Sequence, residues 1–594
     1  MALPDPTRND VEAQLREAIW TGRLVDVRTR NAADDPAQGA GWPAQRTVPA
    51  ALLADLLTTT EGSRRPRALR LAGARVTGRL DLEAAELACP LLLRGCWFAE
   101  PPVLDEAHAA SVRLPGCHLP GLSAEQLTTR GNLELDNGFT ATGEISLLGT
   151  HVGGQLIFSG ATLTNANGIA LGADGLTVDQ NMYARKGFSA TGQVRLAGAH
   201  VGGTLELDGA TLTNPDGRAL GADGLTVDQG MYARKGFSAT GMVVLVGARI
   251  GGQFDLSGAT LTNPDGPALV ADGLTVGQAM FCSEGFTAHG EVRLLGAHIG
   301  GQLELSGARL ANPDGKALIA DRLTVDHSMF CREGFSATGE VSLVGAHIGG
   351  QLDLGDATLT NPDGRALNLQ ELRADALILG GLATPPERAD FTHARIDTLV
   401  DEPASWPRWA ILDGFAYDAL YEDPPVRARQ RLGWLARNPH GYTPQPYEQL
   451  AAAYRRAGRD QDARTVAIAK QWRRRRTLHP LGKLWNLLLY ATVGYGYRMW
   501  LAVGWLLLLV GVGWRLFEQA HPAHLVAAKP PGQRPPFHAG IYALDLLLPF
   551  ADLGYQGAWI ATGTARWLYL GWNLAGWVLT TAVVAALTGL LKRD

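Results

Sequence analysis

The sequence predicts an all-β, right-handed parallel β-solenoid followed by an α-helical segment and two transmembrane helices. Three observations carry this reading. Gly-Phe recurs at 138–139, 187–188, 236–237, 285–286 and 334–335, a period of 49 residues, and self-similarity at a fixed period marks a repeat architecture. Glycine supplies 72 of 594 residues, and its density within the repeats excludes helices, where each glycine costs about 1 kcal/mol relative to alanine. Near the C-terminus, residues 499–514 and 567–591 carry no charge.

Taken in order, residues 1–60 read as a helical N-terminal cap. Helical spacing runs over 11–20 and 48–57, with Asp10 as the expected N-cap. A solenoid end is an open sheet edge, and covering it blocks end-to-end polymerisation. The first residues mix charges and prolines where a secretory signal needs an apolar stretch, and Cys89, Cys96, Cys117, Cys282 and Cys331 are too few for a disulfide scaffold. Residues 61–138 read as irregular solenoid coils, because Leu71-Ala72-Gly73-Ala74-Arg75-Val76 carries the phrase of the later repeats.

About five 49-residue repeats fill 139–385. In each, apolar residues form short runs broken by glycine, as expected for three- to four-residue strands with alternating inward side chains. The turns Asn214-Pro215-Asp216-Gly217, 263–266, 312–315 and 361–364 read as tight coil corners. Two coils of about 24 or 25 residues make one repeat, so five repeats rise roughly 48 Å at about 4.8 Å per strand. Phe139, Phe188, Phe237, Phe286 and Phe335 form one expected core column, and Met182, Met231, Met280 and Met329 another. Cys282 and Cys331 share a column with Ala184 and Ala233, which marks a small buried site. Two coils, about 10 Å, separate these thiols, too far for a disulfide.

Residues 386–483 read as a basic α-helical linker domain with one helical hairpin, over 446–458 and 460–476. The segment 427–476 carries a net charge of +10, whereas 139–380 carries −10. The membrane domain is expected over 484–594, with spans at about 499–517 and 567–591. The second stretch is long enough to cross about 30 Å of hydrocarbon. The first suffices if Arg498 and Arg515 snorkel, and Trp500, Trp505 and Trp514 supply interfacial anchors. Residues 484–497 read as an interfacial lead-in, and 538–565, with Asp545, Pro549 and Asp552, as a segment lying along the outer interface. Arg473 to Arg476, Lys483 and Arg498 precede the first span and Lys592 and Arg593 follow the second, while 518–565 has only Lys529 and Arg534. The positive-inside rule then puts both ends, solenoid included, on the cytoplasmic side of the cell (inner) membrane as a multi-pass protein.

The beats Ala199-His200-Val201 and Ala210-Thr211-Leu212 resemble a loosened pentapeptide repeat. With the stretches 447–458 and 544–556, the chain resembles actinobacterial membrane-associated β-helix proteins, which carry the label membrane-associated oxidoreductase. The resemblance implies the solenoid and the membrane attachment but no established reaction.

The chemistry of that label finds no support in the residues. Gly39-Ala40-Gly41, Gly494-Tyr495-Gly496 and Gly511-Val512-Gly513 do not continue into a dinucleotide fingerprint, and Walker A, H-E-x-x-H, Cys-x-x-Cys and Gly-x-Ser-x-Gly are absent. No catalytic, cofactor-binding or metal-binding residue is assigned, and no cofactor is expected. His151, His200, His298 and His347 form a column interrupted by Arg249, but neighbours about 10 Å apart cannot share an ion and read as solvent-facing. Asp216, Asp265, Asp314 and Asp363 read first as a turn requirement. The expectation is therefore a non-catalytic, membrane-anchored β-solenoid scaffold. Its partners are the bilayer, through the two C-terminal helices and the basic segment, and a cytosolic protein; no nucleic acid is expected. Two alternatives are a DNA-mimicking pentapeptide-type protein acting on a topoisomerase, from the net −10, and a membrane enzyme drawing on Asp545 and Asp552.

Overall fold

Short strands with an inward side chain at every second position bury little within one coil, so stability must come from stacking coil on coil. The structure is a computed structural model that describes residues 8–29, 34–59, 65–362, 364–421, 425–475, 479–498 and 500–587. It divides into two compact units, 1–426 with 437–439, and 427–436 with 440–594.

The first unit is a parallel β-solenoid of about 15 turns over 69–421, as the repeat predicts. Thr177 pairs in register with His200 and His200 with Thr226, so successive coils take 23 and 26 residues and two coils make the 49-residue repeat. One coil runs through Thr177–Val178 and Met182–Tyr183 in one sheet, then along Ser189–Arg195 in the other. Corners such as Ala173-Asp174-Gly175-Leu176 close with the Leu176 N–H donating to the Ala173 carbonyl at 3.3 Å. Gly175 supplies the left-handed angle, φ +65°, that this turn demands.

The phenylalanine column is internal, each ring at most 2% exposed. The rings do not lie directly on one another. The Thr211 N–H donates to the Phe188 carbonyl and the Ser238 N–H to the Ala210 carbonyl, so Ala210 occupies the coil between Phe188 and Phe237. Large and small side chains thus alternate up the stack, which fills a core of constant cross-section. The methionines alternate with leucine or phenylalanine, Leu205 lying between Met182 and Met231 and Phe254 between Met231 and Met280. Cys282 and Cys331 are buried, and burial pushes both thiols well above the ordinary range.

The Asn-Pro-Asp-Gly segments at 214–217, 263–266 and 312–315 are not coil corners. They lie within the 11-residue strands Thr211–Gly221, Thr260–Val270 and Arg309–Ile319 as outward excursions. Thr213 pairs with Thr191, but the next paired residue is Leu220, opposite Val194, so four extra residues are looped out. The Asn214 side-chain amide closes the excursion by donating to the Arg218 carbonyl at 2.8 Å, and Asn263 and Asn312 do the same at Pro267 and Lys316. The strained glycine is in the following coil. Gly241 has φ +106°, and a Cβ there would lie 2.1 Å from the Asn214 carbonyl oxygen. Asp216, Asp265 and Asp314 are exposed, and Asp363 lies outside the described residues.

At the N-terminal end, α1 (Arg8–Thr21) and α2 (Ala50–Thr58) frame two added rungs. Asp10 lies inside α1 rather than at its N-cap, because the helix already begins at Arg8. Val25–Asp26 pairs with Leu71 and Ala72, and Thr47–Pro49 with residues 75–77, so each sheet gains a strand before the first coil. The buried Arg46 guanidinium bonds the Gly73 carbonyl at 2.7 Å and Asp34 at 2.8 Å, and lies 3.6 Å above the Trp42 ring.

The second unit is helical: α3 (Ala428–Leu435), α4 (Gln445–Arg456), α5 (Asp460–Arg474), α6 (Pro480–Val493), α7 (Trp500–Ala520), α8 (Ala539–Leu547) and α9 (Ala565–Leu587). Gly458, at φ +70°, ends the α4 turn before α5 begins. The hairpin buries Tyr447, Leu450, Tyr454 and Val466, with Lys470 bonded to Glu448 at 2.6 Å. α7 and α9 are long and apolar enough to cross a membrane. Arg476, Met499, Lys592, Arg593 and the last residues of the 567–591 stretch lie outside the described residues.

Candidate functional surfaces: the solenoid ladders and the membrane domain

The outward side chains of the solenoid repeat with the coils, and their chemistry is that of ladders. The histidine column faces solvent, with His151, His200 and His298 about half exposed. Threonines separate its members, in the order His151, Thr177, His200, Thr226, Arg249, Thr275, His298, Thr324, His347. Each of the three histidines places Nε2 2.9–3.1 Å from an aspartate, Asp179, Asp228 or Asp326. Reading the histidines alone misses these partners, although the spacing of 28 residues between His and Asp recurs in the sequence. Among the described residues, no group of three or more His, Cys, Asp or Glu side chains converges as metal ligands do.

Other rungs pair charge across coils. Arg195 meets Asp174, Arg293 meets Asp272, and Arg234 bonds Asp208 at 3.0 Å while stacking 4.5 Å above the Tyr232 ring. Much of the acidic charge of the solenoid is thus spent on intramolecular arginines. The exposed aspartates of the excursions occur once per two coils, about 10 Å, far sparser than the one charge per 3.4 Å along a DNA strand. The geometry therefore lends the DNA-mimic alternative nothing beyond net charge.

In the C-terminal helical unit, the segment expected along the outer interface packs between the two long helices. Gly513 of α7 lies against Ala543 and Trp572, and Gly576 of α9 against the Leu547 carbonyl; a Cβ at either glycine would meet them at 2.6–2.7 Å. Such small residues let helices approach closely in a bilayer. α8 starts beside Trp514 and ends where Leu547, Leu548 and Phe550 share an apolar cavity of about 640 Å³ with Ala502, Leu506 and Leu579. Leu506 lies about 21 Å along α7 from Ala520 at 1.5 Å per residue. The segment therefore packs along the two long helices, and its apolar run ending at Pro549 is the sequence signal for that packing. Tyr542 and Leu546 are fully buried in this packing, with Phe517 edge-on to Tyr542 at 5.1 Å.

Asp545 is completely buried, and its role is visible in its bonds. Its carboxylate accepts the backbone N–H groups of Leu553, Tyr555 and Gln556 at 2.8, 2.9 and 2.8 Å, and the Gln556 side-chain amide donates back to the Asp545 carbonyl. A carboxylate committed to three amides holds the returning loop in place and is not free to act as a base. Asp552 is exposed and accepts the Gly554 N–H at 2.8 Å, forming a local turn.

The lead-in α6 keeps Leu484, Leu487 and Tyr490 exposed while Leu489 and Val493 are buried, an apolar face of the kind that lies in an interface. Comparison with protein-family models, with curated proteins and with solved structures gives no match to this chain.

Proposed function

We propose that this chain is a membrane-anchored scaffold, a rigid solenoid carried by a small helical membrane domain. The observation that supports it best is the union, in one chain, of about 15 stacked coils with two helices apolar and long enough to span a bilayer. The solenoid's polar groups are locked to the repeat, so they offer a periodic surface to a protein partner instead of the single convergent environment that catalysis requires. The basic run before α7 and the sparse charge of 518–565 support a cytoplasmic placement of the solenoid and the C-terminus in the cell membrane. Basic residues of 427–476 near anionic headgroups would add about 1 kcal/mol each. Crosslinking in native membranes, followed by mass spectrometry, tests the reading. A protein partner crosslinked reproducibly to solenoid positions, and lost when the outward residues Thr226, Arg249 and Thr275 are replaced, supports it. Turnover of a substrate by the purified chain overturns it.

A further inference from the structure

The cavity of about 640 Å³ among the helices is walled by Val493 of α6, Ala502 and Leu506 of α7 and Leu579 of α9, and Thr580 is the one polar side chain among its described lining residues. Its volume falls within the range of about 300–1,000 Å³ usual for small-molecule sites. Val503, Phe550 and Val584 also line it and are at least half exposed, so it opens sideways to the surface of the unit. The lining comes from the first two turns of α7 and the last third of α9, which puts the cavity at the α6 end of the long helices.

Arginines gather at that same end. The Arg498 N–H donates to the Val493 carbonyl at 3.3 Å, and the Arg498 side-chain stem lies against Gly494, where a Cβ would meet it at 2.9 Å. α5 packs against the turn at 494–496, and its Ile468 joins the apolar cluster of Val493, Tyr495, Ala502 and Leu579. Burial pushes the Tyr495 hydroxyl up to about 12 while the charge of Arg475 opposes the rise, and Arg455 acts in the same way on Tyr497, so both guanidiniums stand near this turn. Among the described residues, Arg455, Arg475 and Arg498 form no ion pair. No aspartate or glutamate occurs over 463–517 to neutralise them. Cations without a counter-charge beside an open apolar cavity complement an amphiphile with an anionic head.

We propose that this end of the helical unit binds one anionic phospholipid, its phosphodiester held by Arg475 and Arg498 and one acyl chain lying in the cavity. This rests on the reading of α7 and α9 as spans. Guanidinium groups bond phosphate oxygens in pairs, and basic pockets between membrane helices on the cytoplasmic side hold the head groups of anionic lipids. A zwitterionic lipid brings a positive group to the same arginines and is held less well. The seated lipid touches the end of α5, α6 and both long helices, and so fixes the basic hairpin at the bilayer surface.

The test uses the full chain purified in detergent, with phosphatidylglycerol and phosphatidylcholine of equal chain length as probes and native mass measurement as the readout. Phosphatidylglycerol should saturate at one retained copy and bind about tenfold or more tightly than phosphatidylcholine. Arg475→Gln with Arg498→Gln should abolish that preference, whereas Arg464→Gln with Arg566→Gln, which removes the same charge from exposed positions elsewhere, should keep it. Ala502→Phe, which fills the cavity, should weaken the binding of both lipids, and free glycerophosphate at the same concentration should displace neither. Thermal unfolding without lipid verifies the fold of each variant, and the preference and stoichiometry of the unaltered chain decide where a variant fails to fold. Equal affinity for the two lipids, uptake that does not saturate at one copy, equal loss in the two charge-matched pairs, unchanged binding in Ala502→Phe or displacement by glycerophosphate overturns the proposal. A chain that floats with vesicles but shows no preference overturns the lipid site alone, while one that does not float contradicts the membrane reading and the proposal falls with it.

Discussion

Replacing Gly241 by alanine should open one excursion of the solenoid and leave the rest standing, and Gly236 provides the control. Both glycines have left-handed backbones, φ +106° and +86°, but a Cβ at Gly236 meets nothing within 4 Å, whereas at Gly241 it would lie 2.1 Å from the Asn214 oxygen and 2.9 Å from the Gly217 oxygen. The backbone term, about 1–2 kcal/mol, is common to both substitutions. The clash is not. The excursion must retreat by about 1 Å to restore ordinary contact, which disturbs the closing bond from Asn214 to Arg218, a loss of about 1 kcal/mol with further cost in displaced packing. Gly241→Ala should therefore exceed Gly236→Ala by about 2 kcal/mol, or about 30-fold in local opening. Hydrogen exchange of the full chain, followed by mass spectrometry over 211–221 and 238–244, reads this directly. Equal protection of these amides in the two variants would refute the docking of the excursion on the next coil's glycine.

Phe237→Ala, which leaves three successive alanines in the column Ala210, 237, Ala259, should cost about 3–5 kcal/mol locally, seen as lost exchange protection over the neighbouring coils. Asp545→Ala removes the acceptor of three amides, of which the buried Tyr555 N–H alone costs about 1–3 kcal/mol, and should lower the thermal stability of the chain in detergent, while Asp545→Asn should retain part of it. Burial alone would raise the Asp208 carboxyl, but the hydrogen bonds and charge of Arg234 outweigh it and hold the group below the usual carboxylate range. That contribution is present above about pH 4 and is lost as pH falls through the folded-state value. Arg234→Met should therefore move the onset of acid destabilisation to higher pH, measured as exchange protection around residues 231–234 against pH.

The period of the Gly-Phe pairs made the solenoid legible, since coil length follows from the repeat and inward alternation follows from strand geometry. The same regularity hid the excursions: Asn-Pro-Asp-Gly is turn chemistry wherever it falls, and only the register between Thr191 and Thr213 shows that it leaves a strand instead of joining two. Asp10 failed as a cap because helical spacing fixes an element's face better than its first residue. The packing of α8 between α7 and α9 was not legible because Asp545 and Asp552 read as charges that must stay near water. A buried carboxylate satisfied by three amides of its own loop escapes that rule, and such long-range bonds leave no periodic trace in sequence.

Side-selective labelling tests the anchored-scaffold account most directly. The five native cysteines are all buried, so they leave single introduced cysteines as the reactive sites. In intact cells, a membrane-impermeant maleimide should label a cysteine at the exposed Gln533, between α7 and α9, and should reach one at the exposed Asp265 of the solenoid only after the membrane is permeabilised. Labelling of Asp265→Cys from outside, or protection of Gln533→Cys, would contradict the account.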